Sequence, residues 1–302
     1  MYKAMKRNLH IKMTPEKNTF KTISIQTTYK CQMACANCYL GNMLNNDKYT
    51  DVKPNKLREA LTGLDRLDVR FIGAEPTMNP NLCELIKIAR QTGHRPSLLT
   101  NGLKLRKESY VQELKSAGVN MLGISMNGGL DDNVYQMMDN GKYAKQKSIA
   151  LENCFKYKIM PHINLIMIPE NVHVIKPLVN YIEELRAKYK FTKYPVMLRI
   201  KSVGQVGKYM KTHTYDLPEM AQILNHELGG INDLSFKING YDETNTCTFK
   251  MSSGLLGKIT DWTLDDDGIP DSGSKRRGIL TDRYTIEPFF EYYSKNEDTL
   301  WK

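Results

Sequence analysis

Residues 22–38 read TISIQTTYKCQMACANC. An apolar strand pattern, Ile23 to Thr28, runs straight into Cys31, Cys35 and Cys38, spaced C-x3-C-x2-C. Outward from this stretch the chain alternates strand and helix six times between residues 22 and 207. Leu57, Ala60, Leu61 and Leu64 recur at helical spacing, and Leu67 to Gly73 reads as a second strand. Leu82, Leu85, Ile86 and Ala89 share one helical face. Ser97 to Thr100 is a short strand ending at Asn101-Gly102. Val111, Leu114 and Ala117 mark the next helix, and Met121 to Met126 the fourth strand, closed by Asn127-Gly128-Gly129. A helical stretch over 142–158 precedes a fifth strand, Ile163 to Ile168, which Pro169 stops. Val174, Ile175, Leu178, Val179, Ile182 and Leu185 form an amphipathic helix, and Val196 to Ile200 a sixth strand.

Short, mostly apolar strands separated by helices predict α/β architecture, a parallel sheet with helices packed on it. Six such units suit a curved, partly closed barrel or an open doubly wound sheet. After residue 208 the rhythm stops. Leu217 to Leu228 reads as a helix with Pro218 in its first turn, and 234–262 as short strands and turns. Asp265-Asp266-Asp267-Gly268 reads as a turn without the spacing of a calcium loop. The expected division is a basic N-terminal segment 1–19, a regular core 20–207, and a C-terminal α+β extension 208–302 packed on the core.

The 302 residues are 41% hydrophobic and 25% charged, which excludes a disordered or collagenous chain. No run of about 18 apolar residues is present, so no transmembrane helix is expected. The start, MYKAMKRNLHIKM, has charge but no apolar signal core. A cytoplasmic, reducing location is therefore expected, where the six cysteines serve as ligands or core residues rather than disulfides. The formal net charge is +10. Residues 186–211 carry Arg186, Lys188, Lys190, Lys193, Arg199, Lys201, Lys208 and Lys211 and no acid. Such a stretch attracts a polyanion or a phosphorylated small molecule, or is a solvated lysine-rich face.

Three cysteines on a tight loop at the C-terminal end of a strand are expected to converge on one point, where soft thiolates hold zinc or an iron–sulfur cluster. A structural zinc site takes four protein ligands. His10 lies far upstream and Cys83 falls in a helix pattern, so no fourth ligand is near. Three ligands with an open position indicate a metal centre that binds something else. Cys83 and Cys154 read as core residues. Cys247 is a lone thiol, and a lone cysteine cannot hold a further cluster. His94, His162, His173, His213 and His226 lack metal spacing. Tyr284, Phe289, Phe290, Tyr292 and Tyr293 read as a packing strip.

CQMACANC resembles the cluster loop of the radical S-adenosylmethionine (SAM) superfamily, close to the MoaA and PqqE type. The resemblance continues through Phe71-Ile72-Gly73-Ala74-Glu75-Pro76, Leu98-Leu99-Thr100-Asn101-Gly102 and Ile124-Ser125-Met126-Asn127-Gly128, each at a strand end and in the family's order. It covers roughly residues 20–207. The family implies a partial (βα)6 barrel in which Cys31, Cys35 and Cys38 hold a 4Fe–4S cluster and SAM chelates the fourth iron. It implies SAM contacts at Gly73, Ala74 and Glu75, at Thr100 and Asn101, at Ser125 and Asn127, and at Asn164 and Arg199 on the fifth and sixth strands. The family places an aromatic residue before the third cysteine, beside adenine. Here Asn37 stands there and Tyr39 follows, so both are candidates for the adenine. The second glycine of the Gly-Gly-Glu-Pro-like motif is Ala74. The seven-cysteine SPASM pattern of auxiliary clusters is missing.

The implied activity is reductive cleavage of SAM to a 5′-deoxyadenosyl radical, followed by hydrogen abstraction from a substrate. The cofactor carries the hard chemistry while the protein orients it and excludes water. An electron donor such as flavodoxin or ferredoxin is implied as partner. The basic stretch beside the sixth strand favours an anionic substrate, a nucleotide or a nucleic-acid base. A peptide or small metabolite is the alternative. A zinc or iron–sulfur binding module without SAM chemistry is the alternative from another class.

Overall fold

The computed structural model describes residues 20–191, 195–203, 215–229, 231–237, 246–261 and 277–299. The basic segment 1–19 with His10, the turn at Asp265–Gly268, His213, and Lys193, Lys208 and Lys211 of the basic stretch lie outside them. Strands β1 (Thr22–Gln26), β2 (Asp68–Ile72), β3 (Arg95–Thr100), β4 (Met121–Ser125), β5 (Met160–Ile166) and β6 (Met197–Lys201) lie side by side in chain order, all parallel. Helices α1 (Pro54–Leu61), α2 (Leu82–Gln91), α3 (Glu108–Ala117), α4 (Asp132–Asp139), α5 (Ala144–Lys156) and α6 (Ile175–Lys188) make the crossovers. Six parallel strands in chain order with helical crossovers make a partial barrel.

The helices bury the stripes that their sequences announce. Leu57, Ala60 and Leu61 of α1 are buried, as are Leu85, Ile86 and Ala89 of α2 and Leu178, Ile182 and Leu185 of α6. They pack on the strand residues that face them, Val69, Phe71, Leu98, Leu122, Ile124, Ile163, Leu165, Leu198 and Ile200, in one continuous core. Alternation then sends the intervening residues to the opposite, concave face. Helix α1 ends at Leu61, so Leu64 lies beyond it. The expected helix over 142–158 is α5, and a second helix, α4, precedes it. Asp131 caps α4 by accepting from the Asn133 N–H at 2.7 Å, and Asn140 ends it in the left-handed region at φ 55°.

Two later strands extend the parallel run. After α7 (Leu217–Leu228) come β7 (Ile231–Lys237), β8 (Thr246–Met251) and β9 (Leu256–Thr260), an antiparallel meander whose last strand pairs parallel to β6. Strand β10 (Arg277–Leu280) pairs parallel to β1 at the other edge, followed by antiparallel β11 (Ile286–Pro288) and α8 (Phe289–Ser294). The sheet order is β11-β10-β1-β2-β3-β4-β5-β6-β9-β8-β7. Among the described residues no helix is long and apolar enough to cross a membrane.

A buried asparagine knots the ends of β4 and β5. Asn171 is fully buried. Its Nδ2 donates to the carbonyls of Ile166 (2.7 Å) and Asn127 (3.0 Å), and its Oδ1 accepts from the Ile168 N–H (2.9 Å). Asn171→Ala strips three backbone groups of their partners, each costing about 1–3 kcal/mol if left bare. The expected result is a clearly lower denaturation midpoint. An unchanged midpoint would show that water replaces the side chain.

Candidate active site

The cysteine loop leaves the C-terminal end of β1 and is pinned from three sides. The Ala36 N–H donates to the Met138 carbonyl of α4 at 2.7 Å, and the Asn42 N–H to the Asp298 carbonyl at 2.7 Å. The Glu75 N–H, at the end of β2, donates to the Lys30 carbonyl at 3.0 Å, and the Ala74 N–H to Thr28 at 3.0 Å. The approach is close enough to demand Gly73: a Cβ there would sit 2.8 Å from the Thr28 carbonyl oxygen. Ala74 packs half-buried beside Cys38 and Tyr39.

Cys31, Cys35 and Cys38 are each partly exposed. Burial pushes all three thiols up, Cys31 to about 11, so a metal must displace their protons. The three thiols are neighbours, Cys31 feeling the charge of Cys38 and Cys35 that of Cys31. Cys31, Cys35 and Cys38 would hold an iron–sulfur cluster, which takes soft thiolate ligands. The donor set of three soft ligands fits an iron–sulfur cluster.

Glu75 is the most highly constrained group beside the loop. It is 1% exposed. Its Oε1 accepts from the Thr77 N–H (3.1 Å), the Thr77 hydroxyl (2.6 Å) and the Thr100 hydroxyl (2.6 Å), and its Oε2 from the Asn101 N–H (2.7 Å). Oε2, with one donor, keeps acceptor capacity for an ammonium group. Glu75 also caps the 3-10 turn Pro76–Met78, so its role as an acid at a helical N-terminus holds as well. Asn101 reaches the loop, its Nδ2 lying 3.8 Å from Cys31 Sγ. Gly102 turns the chain away at φ 84°.

Ser125, Asn164 and Arg199 lie directly opposite one another on β4, β5 and β6, in one row on the concave face. Asn164 Nδ2 donates to the His162 carbonyl at 3.1 Å. Asn127 is placed differently. It is buried, its Oδ1 accepting from the Ile166 N–H (3.1 Å) and its Nδ2 donating to Asp139 Oδ1 (3.3 Å), so it braces strand ends. Asn37 is half-buried on the loop. The Tyr39 ring meets Tyr293 edge-on, centroids 4.8 Å apart. Tyr293 is fully buried and donates to Gln26 Oε1 at 2.8 Å, while Tyr49 donates to Asp298. Phe289, Tyr292 and Tyr293 of the aromatic strip thus pack in one cluster with Cys38 and Tyr39 of the cysteine loop, while Tyr284 packs against the main core.

A buried ion pair behind the loop escaped the reading of the sequence. Lys147 of α5 is fully buried, donates to the Ser125 carbonyl at 2.8 Å and lies 3.9 Å from Asp139 Oδ2. Burial pulls its ammonium down, and Asp139 opposes that. Cys35 feels Asp139 and then Lys147 more strongly than any other charge. The signal was present: Lys147 stands on the helical stripe of Ala150, Leu151 and Cys154. Elsewhere the bland readings hold. His94 Nδ1 accepts from the Leu67 N–H at 3.2 Å, Cys154 and Cys247 are buried, and Cys83 is half-buried.

The radical SAM superfamily model matches residues 25–182, more than half of the chain. The PqqA peptide cyclase of Bradyrhizobium diazoefficiens is 23% identical over 209 residues, 67% of this chain and 51% of that protein. A probable GTP 3',8-cyclase of Pyrococcus abyssi is 26% identical over 148 residues, 48% of this chain and 47% of that protein. The chain therefore spans about half the length of these two relatives. Among solved structures, Streptococcus suis SuiB bound to S-adenosylmethionine superposes with a TM-score of 0.56 at 17% identity, covering 68% of this chain and 46% of SuiB. The cysteine loop, the Glu75 brace, the partial barrel and the family match agree: the chain belongs to the radical SAM superfamily, enzymes that use a 4Fe–4S cluster and SAM.

Proposed function

We propose that this enzyme binds a 4Fe–4S cluster through Cys31, Cys35 and Cys38, cleaves SAM reductively there, and takes hydrogen from an anionic substrate, a nucleotide or nucleic-acid base, held on the concave face. The observation that carries the cofactor reading is the position of Glu75, a buried carboxylate with spare acceptor capacity beside the cysteines. When bound, the cluster supplies an electron and SAM the adenosyl group that makes removal of a carbon-bound hydrogen feasible.

The chain's own residues bind, orient and exclude water. Glu75 Oε2 accepts from an ammonium, with the Asn101 N–H fixing the oxygen's position. Gly73 and Ala74 allow close backbone approach, and Thr100 holds Glu75 from β3. Ser125, Asn164 and Arg199 offer a polar row across three strands for a carboxylate or a ribose. Asn37 and Tyr39 on the cysteine loop are the candidates for the adenine, and Asn127 orients the row through the β4–β5 ends. Residues 20–207 carry this apparatus, and the extension 208–302 lines its edges. A flavodoxin or ferredoxin serves as reductant.

The basic stretch supports the anionic substrate in part. Arg186 and Lys188 are spent on Glu183 (2.9 Å) and Glu152 (2.6 Å) at the surface. Arg199 and Lys201 alternate inward on β6. Similarity to a GTP cyclase is consistent with a nucleotide. Similarity to a peptide cyclase over a longer stretch favours a peptide as the second reading.

Cys31→Ala, Cys35→Ala or Cys38→Ala should each abolish iron loading and 5′-deoxyadenosine formation together after anaerobic reconstitution. Zinc in place of iron in the unaltered protein, or iron without SAM cleavage, would leave a metal-binding module without this chemistry. Glu75→Gln should keep its iron and bind SAM about tenfold or more weakly, the value of a charged hydrogen bond. Equal SAM affinity would remove Glu75 from the site. Substrate turnover should fall steeply with added salt, since screening weakens attraction between charges. Salt-insensitive turnover points to the peptide reading.

A further inference from the structure

Among the described residues, two buried side-chain polar atoms lack a hydrogen bond, Arg186 Nε and Asp139 Oδ2. The Arg186 guanidinium still reaches Glu183 through Nη1 at 2.9 Å. Asp139 has no such outlet. It is 1% exposed at the end of α4, and its Oδ1 accepts one long hydrogen bond from Asn127 Nδ2 at 3.3 Å. The cation that faces it, Lys147 Nζ, stands 3.9 Å from Oδ2, beyond hydrogen-bond reach. Lys147 is drawn instead to the Ser125 carbonyl at 2.8 Å and lies over the Tyr135 ring, 5.1 Å from its centroid. The carboxylate's field is therefore only partly cancelled. A carboxylate oxygen buried in this state costs the fold free energy, so its presence calls for a role other than stability.

The backbone sets this carboxylate against the cysteine loop. The Met138 carbonyl, one residue before Asp139, accepts from the Ala36 N–H, one residue after Cys35, at 2.7 Å. Asp139 is the charge that acts most strongly on Cys35, and Lys147 is the next, with opposite sign. Glu75 acts on Cys31 instead. The two carboxylates also differ in how much charge they project. Glu75 accepts four hydrogen bonds, whereas Asp139 Oδ2 accepts none. Donors offset a carboxylate's negative potential, so Asp139 projects more of its own. A negative charge opposes the arrival of an electron at a centre beside it, and low local dielectric strengthens that opposition.

We propose that Asp139 and Lys147 are positioning residues that set the reduction potential of the iron–sulfur centre, Asp139 lowering it through Cys35 and Lys147 offsetting part of that. This deepens the proposed function and rests on Cys31, Cys35 and Cys38 holding the cluster. One electron arrives from the flavodoxin or ferredoxin and leaves to the sulfonium of SAM. The carbon–sulfur bond then divides into methionine and a 5′-deoxyadenosyl radical. Adding an electron to a sulfonium is an uphill reduction, so a centre that gives its electron up readily serves it. A buried carboxylate on α4, incompletely neutralised, supplies that push without touching either SAM or substrate.

The test is a redox titration of the full chain, followed by electron paramagnetic resonance after anaerobic reconstitution, with neither SAM nor substrate present. Asp139→Asn keeps the shape and the acceptor for Asn127 but removes the charge. Its midpoint potential should rise by about 59 mV or more, a tenfold change in a one-electron equilibrium. Asp139→Asn combined with Lys147→Met removes both charges and leaves no buried ion unpaired. That potential should fall between wild type and the single variant, because Asp139 outweighs Lys147 at Cys35. Glu108→Gln, in the exposed pair with Lys156, should leave the potential unchanged. Equal potentials in wild type and Asp139→Asn, or a fall in place of the rise, overturn the proposal. A lower denaturation midpoint with equal potentials does the same, and reduces the pair to a brace between α4 and α5. Should the single variant fail to fold or load iron, the double variant decides: a potential at or below that of wild type sinks the proposal. Wild-type protein that takes up no iron refutes the cofactor reading and this inference with it, whereas iron-loaded variants of equal potential refute this inference alone.

Discussion

A parallel strand can follow another only through a crossover, and the right-handed sense of crossovers decides which face of the sheet the helices cover. This constraint arranges the whole molecule. Five crossovers cover one face of β1–β6 with helices and leave the other concave and polar. They also bring every loop that follows a strand to the same rim. The cysteines after β1, Glu75 after β2, Asn101 after β3 and Asn127 after β4 are therefore neighbours in space although far apart in sequence. Chemistry at that rim needs no further assembly step.

Within the rim, two buried carboxylates do different work. Glu75 joins the end of β2 to that of β3 through two hydrogen bonds, from Thr100 and Asn101, and two more from Thr77 hold it in its own turn, so its position is fixed before any ligand arrives. Preorganisation of this kind reduces what binding must spend on ordering. Asp139 is less satisfied: Asn127 reaches one oxygen, while Oδ2 is buried without a hydrogen bond, 3.9 Å from Lys147. A buried ion pair contributes little net stability, because desolvation offsets attraction. It does fix α4 and α5 relative to β4, and α4 in turn holds Ala36 between the second and third cysteines.

Much of this was legible in the residues. Stripes such as Leu178, Ile182 and Leu185 have a helical period, and strand ends carry Asn-Gly or Gly-Ala-Glu-Pro turns, so the core of the fold and the cysteine loop could be read locally. Helix α4 was hidden by its shortness and polarity, and by Asn140-Gly141, which looks like a loop and is in fact its left-handed end. The pairing of β9 with β6 and of β10 with β1 was hidden for a different reason. Edge pairing is a non-local choice, and an isolated run such as Leu256–Thr260 does not state its partner. Arg70, Lys258 and Arg277 each look like ordinary surface residues until register sets them on the face that Arg199 and Lys201 share.

That last placement bears on how the two parts of the chain divide the work. The polar row offered to the cofactor runs over β4, β5 and β6, through Ser125, Asn164 and Arg199. Cations also stand where the C-terminal strands extend the sheet at its two edges, Lys258 beside β6 and Arg277 beside β1. The extension therefore does more than cover two edges: its pairing registers set Lys258 directly opposite Arg199 and Arg277 directly opposite Thr22, on the face of the sheet that carries the polar row of β4, β5 and β6.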